Sequence, residues 1–310
     1  MNNDTKKLIT HDGSFHSDDI FACATLCLML EKNGEKYEII RTRDEKIIKD
    51  AKAEDSYVFD VGGIYDKNAN RFDHHQIGGA GRRAIEGGST FIEYASFGLV
   101  WEKFGKILSG DERIVKIIDQ HLAMPIDAFD NGISLYKGNF EDVLPYTIND
   151  VMSIFSPTSL ENMSKDEQFL QAVSLAKEIL QREIKKTGDR IEITKIIQDF
   201  YKNNADRRVV VVDKPKVSRY EVWNALQDFS EPLFVVYGDE DGWAAVAMKK
   251  EKNSFINRKN FPKQWAGLMG EELTNVSGVP DAVFCHRGLF LAVAKTKEGA
   301  MKLAQIAVES

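Results

Sequence analysis

Four short segments in the first 132 residues place Asp or His where a strand-like or helical run ends, and no other feature confines the fold as tightly. They are His11-Asp-Gly-Ser-Phe-His16-Ser-Asp18-Asp19, Phe59-Asp60-Val-Gly-Gly63, Phe72-Asp73-His74-His75-Gln76 and Ile126-Asp127-Ala-Phe-Asp130-Asn-Gly132. Strand and helix patterns alternate between them. Lys7–Thr10, Tyr37–Arg41 and Tyr57–Phe59 read as strands. Asp18–Glu31 reads as a helix because Ile20, Phe21, Ala24 and Leu28 recur at helical spacing, and Glu45–Ala51 as a shorter one. This alternation predicts an α/β domain with a parallel sheet. In such sheets sites form beyond the carboxyl ends of the strands, so the four segments are expected to meet at one edge.

Their residue types point to a metal. Mixed imidazole and carboxylate donors suit Mn²⁺, Zn²⁺ or Fe²⁺, whereas all-oxygen sets suit Mg²⁺ or Ca²⁺. Two cations held together need a bridging carboxylate and act on the attacking and leaving oxygens at once. Four of the six histidines fall in the first and third segments. A zinc-protease HExxH pattern and a GxSxG nucleophile elbow are both absent. The Gly-rich stretch Gly78–Gly88 fits neither a P-loop nor a dinucleotide fingerprint and reads as a surface loop, with Ser89 a candidate cap for the helix through Trp101–Phe104. A further helix is expected over Asp111–Leu122.

The remainder divides differently. Ser164–Lys186 and Ile191–Tyr201 read as helices that connect two domains. Beyond them come a strand at Val209–Val212, a helix near Tyr220–Leu226, strands at Leu233–Tyr237, Trp243–Met248, Ala282–Cys285 and Phe290–Ala294, and a last helix at Lys297–Val308. The expected organisation is a catalytic domain 1–155, a helical connector 156–205 and a smaller α/β domain 206–310. The net charge of −7 is uneven: residues 206–310 carry 15 Lys and Arg against 14 Asp and Glu, the rest 26 against 34. A near-neutral second domain argues against a long basic groove interleaved with aromatics and leaves short substrates open. No run of eighteen apolar residues predicts a membrane span, and the N-terminal residues lack an apolar signal core, so a cytoplasmic location is expected. Cys23, Cys27 and Cys285 form neither a CxxC metal pair nor a disulfide framework and read as buried thiols.

The segments ITHDGSFHSDD, YVFDVGGIYD, RFDHHQ, ASFGLVWEKFG, IDAFDNGI and FPKQWAGLMGEEL…SGVPDAVFCHRGLFLAVAKTKEGAMKLA, in that order, resemble the melanocyte-proliferating-gene (Myg-type) family, which looks like a branch of the DHH phosphoesterase superfamily. The resemblance implies a divalent-metal-dependent hydrolase of phosphodiester bonds, a 3′–5′ exonuclease on RNA or short oligonucleotides. The alternatives are a small-nucleotide phosphodiesterase or phosphatase, or a non-catalytic RNA-binding protein with a vestigial site. It implies two divalent ions, manganese first, with Mg²⁺, Zn²⁺ or Fe²⁺ as other occupants. Their ligands would be His11, His16, Asp18, Asp60, His74 and Asp127, with Asp130 competing for the last place. Asp60 would bridge, Asp73 would orient the site or ligate, and His75 would face the substrate phosphate. The first motif is one residue longer than the DHH form and has His16 where a carboxylate usually stands. Ser17 replaces a common cysteine, and Phe155-Ser156-Pro157 a common Asn-Pro-x-Trp. The second domain would resemble the DHH-associated substrate domain, with Arg258, Lys259, Trp265, His286 and Arg287 as candidates to hold substrate. Self-association as a homodimer is compatible with the resemblance.

Overall fold

The computed structural model describes residues 5–84, 91–137, 143–213, 217–239, 242–251 and 254–310. The chain divides into two compact units, Met1–Gly188 and Asp189–Ser310. Unit 1 contains β1 (Lys6–Thr10), α1 (Ser17–Lys32), β2 (Tyr37–Arg41), α2 (Glu45–Asp50), β3 (Ser56–Phe59), β4 (Tyr65–Asp66), β5 (Arg71–Phe72), β6 (Arg82–Ala84), β7 (Phe91–Glu93), α3 (Ser96–Ser109), α4 (Glu112–Ile118), α5 (Met124–Asp130) and α6 (Ile148–Ser153). Its main sheet has the order β2-β1-β3-β5-β4; all pairings are parallel except the β4–β5 hairpin. The carboxyl ends of β1, β3 and β5 therefore lie side by side, and they run directly into His11, Asp60 and Asp73.

Helix α1 is buried from Ser17 to Leu30. Ile20, Phe21, Ala22, Cys23, Ala24 and Leu26 leave it apolar on every face, the signature of an enclosed helix. One side packs on α3, where Phe21 meets Phe97 at 5.3 Å. All three cysteines are buried and free.

The expected Asp111–Leu122 helix is instead α4 followed by a π-helical turn, Asp119–Ala123, and then α5, which begins with Pro125 in its first turn. Hairpin β4–β5 and ribbon β6–β7 were not anticipated, because each strand has only two or three residues. Gly87, Gly88 and Ser89 lie outside the described residues.

The two connector helices are one, α7 (Lys165–Asn203), of 39 residues. Its Phe169, Ala172, Val173, Ala176 and Leu180 are buried in unit 1, and its Ile197 and Tyr201 join a core of unit 2. The boundary between the units falls inside this helix.

Unit 2 continues with β8 (Val209–Val212), α8 (Arg219–Leu226), β9 (Phe234–Asp239), β10 (Gly242–Ala247), α9 (Gly270–Ser277), β11 (Ala282–Cys285), β12 (Leu291–Ala294) and α10 (Lys297–Glu309). The sheet order is β11-β12-β10-β9-β8, antiparallel apart from β8–β9. Strand alternation sends Phe234, Val236, Ala245 and Ala292 to one face, with Leu303 and Trp265, and Val235, Ala244 and Val246 to the other, with Val222 and Leu226 of α8. No described helix is long and apolar enough to cross a membrane.

Gly98 in α3 is a packing requirement. A Cβ there would run into Asp127 and the Arg83 guanidinium, which form a buried ion pair at 2.6 Å. Breaking such a pair costs about 3–5 kcal/mol. Gly98→Ala is expected to destabilise unit 1 by about 3 kcal/mol in denaturant unfolding; a change below 1 kcal/mol would show that the pair yields without loss.

Candidate metal centre

Three strand ends and two helix ends supply the site. His11 follows β1, and its Nδ1 lies 3.0 Å from the Asp12 carbonyl. If that nitrogen carries the proton and donates it, Nε2 is left as the ligating atom. Asp60 follows β3 with φ of 53°, in the left-handed region where a residue with a Cβ is strained by about 1–3 kcal/mol. Asp18 and Asp19 open α1, where the helix dipole favours acids. His74 follows β5, and Asp130 ends α5.

Asp60 links two donor groups. Its Oδ2 is 3.1 Å from His11 Nε2, which is also 3.3 Å from Asp19 Oδ2. Its Oδ1 is 3.5 Å from His74 Nε2, which is 3.1 Å from Asp130 Oδ2. His11, Asp19 and Asp60 each place one donor atom within 4.8 Å of the others, as do Asp18, His74 and Asp130, and also Asp60, His74 and His75. Asp18 is shared with the fold: its carboxylate accepts the N–H groups of Ser96 at 3.0 Å and Phe97 at 2.7 Å, capping α3.

Among the described residues, Asp19 Oδ2, Asp60 Oδ1 and His74 Nε2 are buried without a hydrogen-bond partner, although such groups are ordinarily satisfied. Burial, then repulsion from Asp60, Asp130 and Asp127, raises the Asp18 carboxyl well above its ordinary value. Burial likewise pushes Asp19 up to about 7, against the pull of His11. Burial would lower His74, but Asp130 and Asp60 outweigh it and push its pKa up to about 11. Burial would raise Asp60, yet His11 and His74 hold it below the usual carboxylate range. Without a cation, protonated His74 supplies positive charge among four carboxylates. Orphaned donors, mixed N/O chemistry and a shared carboxylate all fit a pair of divalent ions.

Asp73 is occupied by its own loop. Its Oδ1 accepts the His74 N–H at 2.7 Å and lies 2.7 Å from His75 Nδ1, and its Oδ2 accepts the Gly63 N–H. His75 is left exposed on an open cavity of about 630 Å³, which His11, His16, Arg43, Asp60 and Asp130 also line. The hydrogen bond with Asp73 raises the His75 pKa against burial.

Several expected residues stand elsewhere. Asp127 is not in the cluster: it pairs with Arg83 and accepts the Gly98 N–H at 3.1 Å, so Asp130 takes the place expected for it. His16 precedes α1 with its side chain exposed, and its backbone N–H donates to Asp19 Oδ1 at 2.8 Å. Arg258 is no free phosphate hook, since its guanidinium donates to the carbonyls of Lys249, Phe229, Pro232 and Gln227. Lys259 donates to the Val308 carbonyl at 2.8 Å, and Trp265 is core. His286 accepts the Gly288 N–H at 2.9 Å and packs on Phe290, while Arg287 is exposed. Asp19 was missed as a donor, although it lies within the first segment.

A cation must displace the His74 proton to use Nε2. Calorimetric Mn²⁺ titrations in buffers of different ionisation enthalpy are expected to show proton release on binding, with affinity rising from pH 6 to pH 9. No release and a flat affinity would contradict the donor assignment.

A family model described as an uncharacterised protein family, UPF0160 (MYG1_exonuc), matches residues 7–308. The chain is 30% identical over 292 residues to a protein of Chlamydia muridarum named MYG1 protein, covering 93% of this chain and 92% of that one. It is 30% identical over 326 residues to the human protein named MYG1 exonuclease, covering 96% and 84%. Among solved structures, PggH, a pGpG-specific phosphodiesterase from Vibrio, aligns over 98% of both chains with 15% identity and a TM-score of 0.33. RecJ from Thermus thermophilus in complex with Mn²⁺ aligns over 98% of this chain and 52% of its own, with 10% identity and a TM-score of 0.25.

Proposed function

The chain belongs to the uncharacterised protein family UPF0160, and from that premise we propose that it is a divalent-metal-dependent phosphoesterase of the DHH type, acting as a 3′–5′ exonuclease on RNA or short oligonucleotides. The observation that carries this reading is the Asp60 carboxylate, whose two oxygens face two separate donor groups. Relatives of which this chain covers 83% and 84% are named exonucleases, which supports a nucleic-acid or nucleotide substrate.

His11, Asp19 and Asp60 would hold one ion; Asp60, His74 and Asp130, with Asp18 beside them, would hold the other. Two divalent ions bound there supply a nucleophile from water near neutral pH and offset charge on the phosphoryl oxygens. The protein's own part is positioning. Asp73 fixes the His75 ring, and the raised His75 pKa favours an imidazolium that binds a non-bridging phosphate oxygen and offsets its charge. Arg43, on the rim of the same cavity, pairs with exposed Asp12 at 3.3 Å, a surface pair for which a phosphate can compete. Manganese is the proposed native ion, in keeping with the imidazole share of the donor set.

Asp60→Ala and His74→Ala should each lower Mn²⁺-dependent hydrolysis of 5′-labelled RNA by at least about 100-fold, with folding confirmed by circular dichroism. Activity within twofold of the unaltered protein in either variant would overturn the reading. The product ladder from 5′-labelled strands reads the polarity: successive shortening from the 3′ end is expected.

A further inference from the structure

The neutral overall charge of unit 2 hides a local arrangement. Seven exposed or half-buried side chains from three separate stretches form a run of contacts between aromatic rings and cations. Phe284 meets His286 at 6.1 Å, and His286 meets Phe290 at 4.3 Å. The Arg219 guanidinium lies 5.0 Å from the Phe290 ring and 4.9 Å from Trp223. The Lys249 ammonium lies 4.4 Å from Trp223 and 5.7 Å from Phe255. Cation–aromatic contacts of this kind occur about once in 70–80 residues; here four share three rings.

The fold positions the strip and leaves it open. In the sheet, α8 covers the face that carries Val235, Ala244 and Val246. On that same face Phe284 of β11, paired with Val293 of β12, is only half-buried. Trp223 is fixed by donating its indole N–H to the Ala247 carbonyl at 2.9 Å. The four carbonyls that Arg258 clamps include that of Lys249, so the residue expected to hold phosphate instead anchors the segment bearing Lys249 and Phe255. Phe255 is 96% exposed, with the Lys249 ammonium beside its ring. Arg219 is exposed, with Arg287 and Lys250 exposed close by in the chain to strip residues. Of the nearby acids, Glu221 is tied to the Ser218 N–H and hydroxyl, while Asp228 and Glu251 are exposed.

We infer that this strip of unit 2 binds single-stranded nucleic acid, with bases stacking on Phe255 and Phe284 and phosphates meeting Arg219 and Lys249. Stacking on aromatic faces needs unpaired bases, and alternate cations match a phosphate backbone. A duplex hides its base faces, and an acidic peptide would use the cations without the rings. The inference deepens the proposed nuclease reading by assigning the substrate as a strand rather than a free nucleotide. It is consistent with the expectation, drawn from net charge, that unit 2 has no long basic groove, since the strip is short.

Binding is measured without cleavage, so its failure is separate from failure of the hydrolytic reading. Fluorescence anisotropy of a labelled twelve-residue oligo(U) on the full chain in EDTA is expected to show salt-dependent binding. Phe255→Ala should weaken it at least about fivefold. Arg219→Ala with Lys249→Ala should lower the slope of log affinity against log salt by about 1.4. Lys302→Ala, on α10 at the opposite sheet face, should have no effect beyond twofold. No binding by the unaltered chain would overturn the inference. So would strip variants within twofold of it, an equal loss in Lys302→Ala, or displacement of the strand by polyglutamate or duplex at equal concentration.

Discussion

Asp60 sits at the end of a central strand in a backbone conformation that disfavours any side chain, and the whole metal centre depends on that placement. Its two oxygens are the connection between the His11–Asp19 pair and the His74–Asp130 pair. The strain is offset by surrounding contacts: β3 is hydrogen-bonded on both sides, to β1 and β5, and the next residues, Gly62 and Gly63, also take positive φ. Gly63 then donates to Asp73, which aligns the loop bearing His74 and His75. One turn thus sets Asp60, the second donor group and the exposed His75 imidazole together.

The electrostatics follow from the same crowding. Four buried or half-buried carboxylates repel one another, and three donor atoms are left without partners. A folded protein tolerates this only where something positive belongs. Protonated His74 fills that role without a cation, and a divalent ion fills it better, because it satisfies the orphaned oxygens as well. Asp127, by contrast, already has its counter-charge in Arg83 and has no need of a metal.

Much of this was legible in the sequence because strand ends are legible. A short run of β-branched, aromatic and other apolar residues that stops at His11 or Asp60 locates a side chain at the carboxyl edge of the sheet without any knowledge of the rest. Helix faces were harder. Asp18 and Asp19 are consecutive, so their side chains diverge by about 100° on α1; one caps α3 and the other reaches His11, and spacing alone does not say which does what. Asp127 and Asp130 differ only in their neighbours, and the neighbour that decides, Arg83, is 44 residues away in the chain. Arg258, expected to meet phosphate, is engaged for a similar reason: its acceptors are main-chain carbonyls from two other segments, 227–232 and Lys249, which leave no trace in composition. Net charge concealed the aromatic strip of unit 2, since its members are spread from Arg219 to Phe290 and converge only through the sheet.

The most direct test of the central claim is anomalous diffraction from crystals grown with Mn²⁺. The account predicts two manganese peaks on either side of the Asp60 carboxylate, one with His11 and Asp19, the other with His74 and Asp130, and Asp127 bound to neither. A single peak, peaks that leave Asp60 unshared, or manganese at Asp127 would contradict it.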